Sequence, residues 1–330
     1  MKIANILGID VSKNTLDCHL HLEHQQLDAI PNSAQGFKLL RKWLKKQCKT
    51  ALSELLVVME HTGIYTYGLE HFLHQQGIAY VKRPALDIKR SLGMIRGKSD
   101  KADARFISKY GWMRKEELSP MKPVSANLLE LQQLMNYRDK VVADRASYQG
   151  RTKELTGQLA DNVNSKITAS SDYIMDVLGQ EIKEIEQAIK NLLQSDPSLQ
   201  ANYDLATSVV GIGFATAVHF IIATENFARF SDARKLICYC GVAPFKHESG
   251  TSIRGRTRIS HLANKKLKSL LTMAAICAVR FDEDLKRKYQ QKIAEGKPKM
   301  SVINIIRAKL VERLFAVVKR QSKYEIRTAA

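Results

Sequence analysis

A mixed α/β layer followed by a basic, mainly helical remainder is the fold class this sequence predicts, and three observations predict it. Two short stretches, residues 3–9 and 55–59, are almost wholly apolar, as strands buried on both faces must be. Between and after them, strand-like and helix-like segments alternate, which builds a sheet covered by helices. Beyond Pro120 and Pro123 the apolar residues recur at helical spacing instead. The chain has 330 residues, room for more than one core. The breaks at the two prolines and at Ser195-Asp196-Pro197 divide it into residues 1–120, 121–197 and 198–330.

The first strand ends at Asp10, and Ser12-Lys13-Asn14 supplies a turn. Residues 15–22 then alternate through Leu16, Cys18, Leu20 and Leu22, the pattern of a half-buried antiparallel partner. An amphipathic helix follows at 37–44, then the second buried strand, a helix from Gly63 to about Gln76, and a short strand at 78–81. In the middle segment Leu128, Leu131, Leu134 and Met135, and later Ile182, Ile185, Ile189 and Leu192, mark two long helices. These suit either an antiparallel hairpin forming a coiled coil between subunits or ordinary helices packed on a globular body. The last segment predicts helices at 203–209, 214–224, 231–239, 261–279 and 300–318, with Ser260 as an N-cap.

A net charge of +19 exceeds what solubility requires and points to a polyanionic partner, nucleic acid first and an acidic membrane surface second. No apolar run approaches the roughly 20 residues that span a bilayer, and the N-terminal apolar stretch is too short for a signal peptide. Five scattered cysteines suit reduced thiols in a cytoplasmic protein, and Cys238-x-Cys240 lacks the spacing of a zinc site and reads as core. There is no G-x-x-x-x-G-K loop.

Four carboxylates stand out against this charge. Asp10 and Glu60 end the two buried strands, and Asp100 and Asp103, three apart at a helix start, share one face of its first turn. Magnesium takes oxygen ligands of this kind, and two such ions about 4 Å apart serve phosphoryl transfer. Gly8 and Gly63 would leave room for a substrate backbone. Each acid also has a plainer reading: a turn cap for Asp10, an exposed strand end for Glu60, an N-cap or capping box for Ser99, Asp100 and Asp103. The surrounding cations Lys82, Arg83, Lys89, Arg90, Arg96, Lys98, Lys101 and Arg105 suit a phosphate-lined groove or a solvated face.

Farther on, Gly211-Ile212-Gly213 before an apolar helix has the form of a helix-hairpin-helix turn, whose exposed N–H groups bind phosphate, or of a simple glycine turn. Arg254, Arg256 and Arg258, if extended, share one face and can clamp a phosphate. Ser249, next to Gly250, is a small nucleophile in an open setting, with Thr251 and Ser252 as competitors. On composition alone a serine in a basic loop is more often a phosphate contact.

The order of these blocks carries a resemblance over nearly the whole chain. Gly8-Ile9-Asp10-Val11-Ser12-Lys13, Met59-Glu60-His61-Thr62-Gly63-Ile64-Tyr65 and Lys98-Ser99-Asp100-Lys101-Ala102-Asp103-Ala104-Arg105 resemble the DEDD blocks of the IS110 family of insertion-sequence transposases. Gly211-Ile212-Gly213, Gly241-Val242-Ala243-Pro244 and Ser249 through Arg258 resemble its C-terminal transposase domain. The family also includes the Piv-type DNA invertases.

The resemblance implies a RuvC-like, RNase H-type N-terminal domain, a dimerising helical linker and a C-terminal domain with a catalytic serine. It implies Mg²⁺, with Mn²⁺ as a substitute, at Asp10, Glu60, Asp100 and Asp103, and Ser249 as nucleophile with Ser252 its nearest rival. Nucleic-acid contacts are expected at Lys98, Arg105, Gly211, Gly213, Arg254, Arg256 and Arg258, from the charges, glycine turn and arginine spacing above. The partners the resemblance implies are donor and target DNA, a non-coding bridge RNA, and further copies of the chain as a dimer or synaptic tetramer. The acids of one subunit would meet the serine of another, in a prokaryotic cytoplasm and on the nucleoid. A plain RuvC-like nuclease and a non-catalytic nucleic-acid-binding regulator are the competing functions.

Overall fold

The computed structural model describes residues 2–91, 100–155, 161–243, 245–249, 253–258 and 263–325. The chain divides into two compact units, Met1–Pro123 and Val124–Ala330.

In the first unit, β1 (Asn5–Val11), β2 (Thr15–Leu20) and β3 (Gln25–Pro31) form an antiparallel meander. After α1 (Ala34–Gln47), β4 (Leu55–Glu60) pairs parallel with β1, and after α2 (Tyr67–Gln75), β5 (Ala79–Arg83) pairs parallel with β4. The resulting sheet has the order β3-β2-β1-β4-β5. It is mixed, as expected. Sequence patterning missed β3, an edge strand whose residues are mostly exposed or half-buried and therefore show no apolar alternation.

The central strands β1 and β4 are buried on both faces, and their alternate residues join different cores. Leu7, Ile9, Val57 and Met59 pack with Phe37, Leu40 and Leu44 of α1 and Leu69 and Leu73 of α2. Ile6, Leu56, Val58 and Val81 pack on the other face, with Ile88 of α3 (Ala85–Ser91) and Ile107 and Tyr110 of α4 (Asp100–Met113). Gly8 is where α4 comes closest. A Cβ there would stand 2.3 Å from the Ala104 carbonyl oxygen and 2.4 Å from the Ser108 nitrogen. The space beside Gly8 therefore belongs to α4 and not to a substrate, which corrects the expectation. Gly63, at φ +67° with open space around it, remains free of such contact.

In the second unit, α5 (Ala126–Leu155) and α6 (Asp161–Ser195) run antiparallel, joined by Arg138 Nη2 to Glu186 Oε1 at 2.6 Å and by Arg145 Nε donating to the Met175 carbonyl. Their seam of Leu128, Leu131 and Met135 against Ile185, Ile189 and Leu193 continues onto Leu199 of α7 (Pro197–Thr207) and Val218 and Ile221 of α8 (Phe214–Ala223). The seam is thus closed within the chain at this end. Farther along α6, Val163, Tyr173 and Val177 are exposed. The break at Pro197 is a helix boundary, with Asp196 accepting from the Ser198 and Leu199 N–H groups.

A second core joins α9 (Ala233–Tyr239), α10 (Lys265–Phe281), α11 (Glu283–Ala294) and α12 (Lys299–Arg320), through Leu236, Leu271, Leu285, Ile306, Leu310 and Leu314. Cys240 lies in that core and Cys238 is half-buried. Between α9 and α10 the strands β6 (Phe245–Ser249) and β7 (Ile253–Arg258) form an antiparallel hairpin. The expected helix at 261–279 begins later, with Asn264 as its N-cap, accepting from Leu267 N–H at 3.0 Å. Ser260 lies outside the described residues. Helix α11 was not anticipated, because its charged sequence EDLKRKYQQKIA buries only Leu285.

Candidate functional site

The sheet register places the acids. Ile9 pairs with Met59 across the parallel β1–β4 ladder, so Asp10 and Glu60 follow at the same level. Side chains alternate in a strand, and neighbours in register share a side. Asp10 follows Ile6 and Gly8, and Glu60 follows Leu56 and Val58, so both fall on the face covered by α4. The helix can be tracked across that face. A Cβ on Gly111 would meet Ile6 and Val58, whereas Ala104 and Ser108 stand over Gly8. Continuing the same way, the first turn with Asp100 and Asp103 reaches the strand ends where Asp10 and Glu60 sit. Asp103 is half-buried; Asp100 is described in backbone only.

Two further hydrogen bonds hold those strand ends together. The Asn32 side-chain amide donates to the carbonyls of Ser12, after β1, and Tyr65, after β4, both at 2.9 Å. His61 N–H donates to the Arg83 carbonyl at 3.0 Å, extending the β4–β5 ladder past Glu60. Asn32 lies in neither acidic motif, which is why motif reading passed over it.

One neighbour, Asp17, was missed, and one of the expected groove cations, Arg83, takes a definite place. Asp17 pairs directly with Asp10 across β1–β2, so a further carboxylate faces the same side, with Oδ1 accepting from Ala29 N–H. Arg83 pairs with Glu60 across β4–β5, and its buried Nε has no hydrogen-bond partner among the described residues. Strand pairing, with β5 taken two residues past Val81, is the signal that places both.

The cations divide. Lys82 is one residue from Arg83 and therefore faces the opposite side. It is buried in an ion pair with Glu70 at 2.9 Å, a carboxylate that also accepts from Thr66 and Tyr80. It does not belong to a groove. Lys89, Arg90 and Arg105 are exposed on the α3–α4 side. Lys98 lies outside the described residues. Beneath α4, His19 Nδ1 and Ser108 Oγ are 2.7 Å apart, and burial, with the Arg105 charge second, pulls the His19 pKa down to about 4. A neutral imidazole there keeps extra positive charge out of the sheet–helix seam.

Oxygen donors of this kind suit a hard divalent cation. Among the described residues no cluster of three His, Cys, Asp or Glu side chains is placed to hold a metal. The set that would do so includes Asp100, whose side chain is outside that description.

In the second unit, Gly211 (φ +93°) is turned inward: a Cβ would stand 2.4 Å from the Ala274 carbonyl oxygen of α10. Gly213, the N-cap of α8, faces open space. Ser249 is the last residue of β6 and pairs with Ile253, and Arg254 pairs with Glu248. Arg254, Arg256 and Arg258 occupy alternate positions of β7, extended as expected. The hairpin side chains and Ser252 lie outside the described set. No helix among the described residues is long and apolar enough to cross a membrane.

Comparison with known proteins agrees with this layout. Residues 7–159, which contain all four acids, match the DEDD transposase model of the IS110 group, and residues 203–290 match the transposase model of the IS116/IS110/IS902 family. The pilin gene-inverting proteins of Moraxella bovis and Moraxella lacunata are 29% and 28% identical to this chain, over 97% of it and 98% of their own lengths. An uncharacterized 43.6 kDa protein of the IS110 insertion element of Streptomyces coelicolor is 27% identical over 44% of this chain and 35% of its own length. With the N-terminal acidic region and the C-terminal region both matched, the chain belongs to the IS110 family of transposases and DNA invertases, enzymes that recombine DNA.

Proposed function

We propose that this transposase cuts and rejoins DNA by transesterification at Ser249, on a phosphodiester positioned against Asp10, Glu60, Asp100 and Asp103. The observation that carries the reading is the shared face and level of Asp10 and Glu60 below the start of α4. Those four acids would hold magnesium, or manganese in its place. Bound there, the metal supplies positive charge against the phosphate. Arg83 and Arg105 border the acids and orient the phosphate, and Arg254, Arg256 and Arg258 neutralise it from the hairpin side.

In the step itself, a bond forms between Ser249 Oγ and phosphorus while a P–O bond to deoxyribose breaks. The hydroxyl proton leaves the serine, and the departing sugar oxygen ends protonated. Attack on the phosphoserine by a sugar hydroxyl of a second strand reverses this and frees the serine. Phosphodiester energy is conserved in the linkage, so no nucleotide hydrolysis is needed.

The same reading makes the protein a dimer or synaptic tetramer, in which one subunit's acids act with another's serine. Exposed Val163, Tyr173 and Val177 on α6 suit such a contact. A structured RNA from the element would choose the donor and target DNA, with the +19 charge holding both nucleic acids.

Quenching the reaction in denaturant tests this. Labelled DNA should migrate with the protein, should not do so with Ser249→Ala, and should persist with Ser252→Ala. Free DNA ends without a protein adduct would indicate a hydrolytic nuclease. Deep sequencing of RNA copurified with the protein should recover one discrete species encoded beside the gene.

A further inference from the structure

Helix α12 carries an arginine that the reading above does not use. Arg307 is only 5% exposed, yet among the described residues it faces no carboxylate. One terminal nitrogen donates to Asn304 Oδ1 at 3.3 Å and the other to Thr272 Oγ1 at 2.7 Å, while its buried Nε has no hydrogen-bond partner among the described residues. A guanidinium always carries its charge, and taking that charge from water without an anion is costly. Two neutral oxygens do not balance it.

Arg307 lines a cleft of about 750 Å³ with Val242, Lys297, Asn304, Lys309 and Glu312. The one carboxylate in that group, Glu312, is taken by Lys309 at 2.6 Å, and Lys297 is 3.6 Å from Glu295, outside the cleft lining. The cleft is therefore positive, with a guanidinium on its wall that has no carboxylate partner among the described residues. Its wall also leads to the hairpin. Asn304 donates to the Val242 carbonyl at 2.8 Å, and β6 begins three residues later and ends on Ser249. Five residues of strand span about 17 Å.

We propose that this cleft is a backbone-phosphate site, in which Arg307 clamps a phosphodiester of the DNA strand that runs along the hairpin towards Ser249. A phosphate in the cleft, beside the part of Arg307 that lines it, supplies the missing countercharge, whereas Nε is sealed from the cleft. Asn304 holds the guanidinium plane and fixes the site to the segment that enters β6. The choice of DNA over RNA rests on the reading of Ser249 as nucleophile; the phosphate chemistry does not.

The test is equilibrium binding of the full-length protein to a random-sequence DNA duplex and to an RNA duplex of the same sequence. It is run in EDTA across a salt series, so that no covalent chemistry enters. Arg307→Met should lower the slope of log affinity against log salt by about 0.9 on DNA, the share of one phosphate contact, and leave the RNA slope unchanged. Its melting temperature without nucleic acid should stay level or rise, because an uncompensated charge is removed. Met300→Glu, at an exposed position of the same cleft, should weaken DNA binding whatever Arg307→Met does to folding. An unchanged DNA slope in Arg307→Met with a lowered melting temperature would make Arg307 a structural bridge and overturn the proposal. So would a slope loss confined to RNA, or full DNA affinity in Met300→Glu. Failure of the serine reading would appear separately, as absent adduct with these slopes intact.

Discussion

The two units place their chemistry by different physical rules. In the sheet unit, hydrogen-bonded register fixes which side of the layer each residue takes, so Asp10 and Glu60 are bound to face α4 once Ile6, Gly8, Leu56 and Val58 do. In the helical unit, Ser249 ends the first strand of a two-stranded hairpin between α9 and α10, whose strand sequences FKHES and IRGRTR contain no apolar run. A site written into a buried sheet inherits the precision of core packing. One written on a hairpin depends on what it meets.

That contrast can be broken at several points. Asp10→Asn should abolish adduct formation by about a thousandfold or more, roughly 4 kcal/mol of activation free energy, with an unchanged melting temperature. Parallel loss of fold would recast the acid as structural. Gly8→Ala forces a Cβ into the α4 backbone and should cost about 3 kcal/mol in urea unfolding, with activity lost as the helix lifts. Gly213→Ala, in open space at an ordinary φ of −89°, should change stability by well under 1 kcal/mol.

The fourth prediction concerns His19. Its pKa is about 4 when folded, against an ordinary 6.5, so the unfolded chain binds the extra proton between those limits. Stability is full above about pH 6.5 and falls as pH drops towards 4. Wild type should lose about 1–2 kcal/mol over that window, and His19→Gln should lose less, in denaturant titrations at each pH. Asn264→Ala removes the cap of α10 and should cost about 1 kcal/mol.

Much of this was legible in the sequence, and the boundary of legibility is physical. Buried strands announce themselves through unbroken apolar runs, and the acids end those runs. Edge strand β3 and helix α11 bury too little to leave a pattern. Lys82 looked like one more groove cation because a charge run does not reveal which of its members faces inward to meet Glu70. Gly8 looked like substrate space because a glycine shows that something approaches, not what. Asp17 and Asn32 emerge only from the folded strands, since each lies outside the motif it serves, and strand pairing sets Arg83, already one of the expected cations, beside Glu60. Arg307 has no signature at all, being one cation in a basic helix until its neighbours are known.

Mixing two inactive variants addresses the central claim most directly. Asp10→Asn keeps Ser249 and lacks an acid; Ser249→Ala keeps the acids and lacks the hydroxyl. Mixed oligomers should regain covalent capture of DNA, with the DNA attached only to the Asp10→Asn chains. No recovery, or DNA attached to the Ser249→Ala chains, would contradict the account.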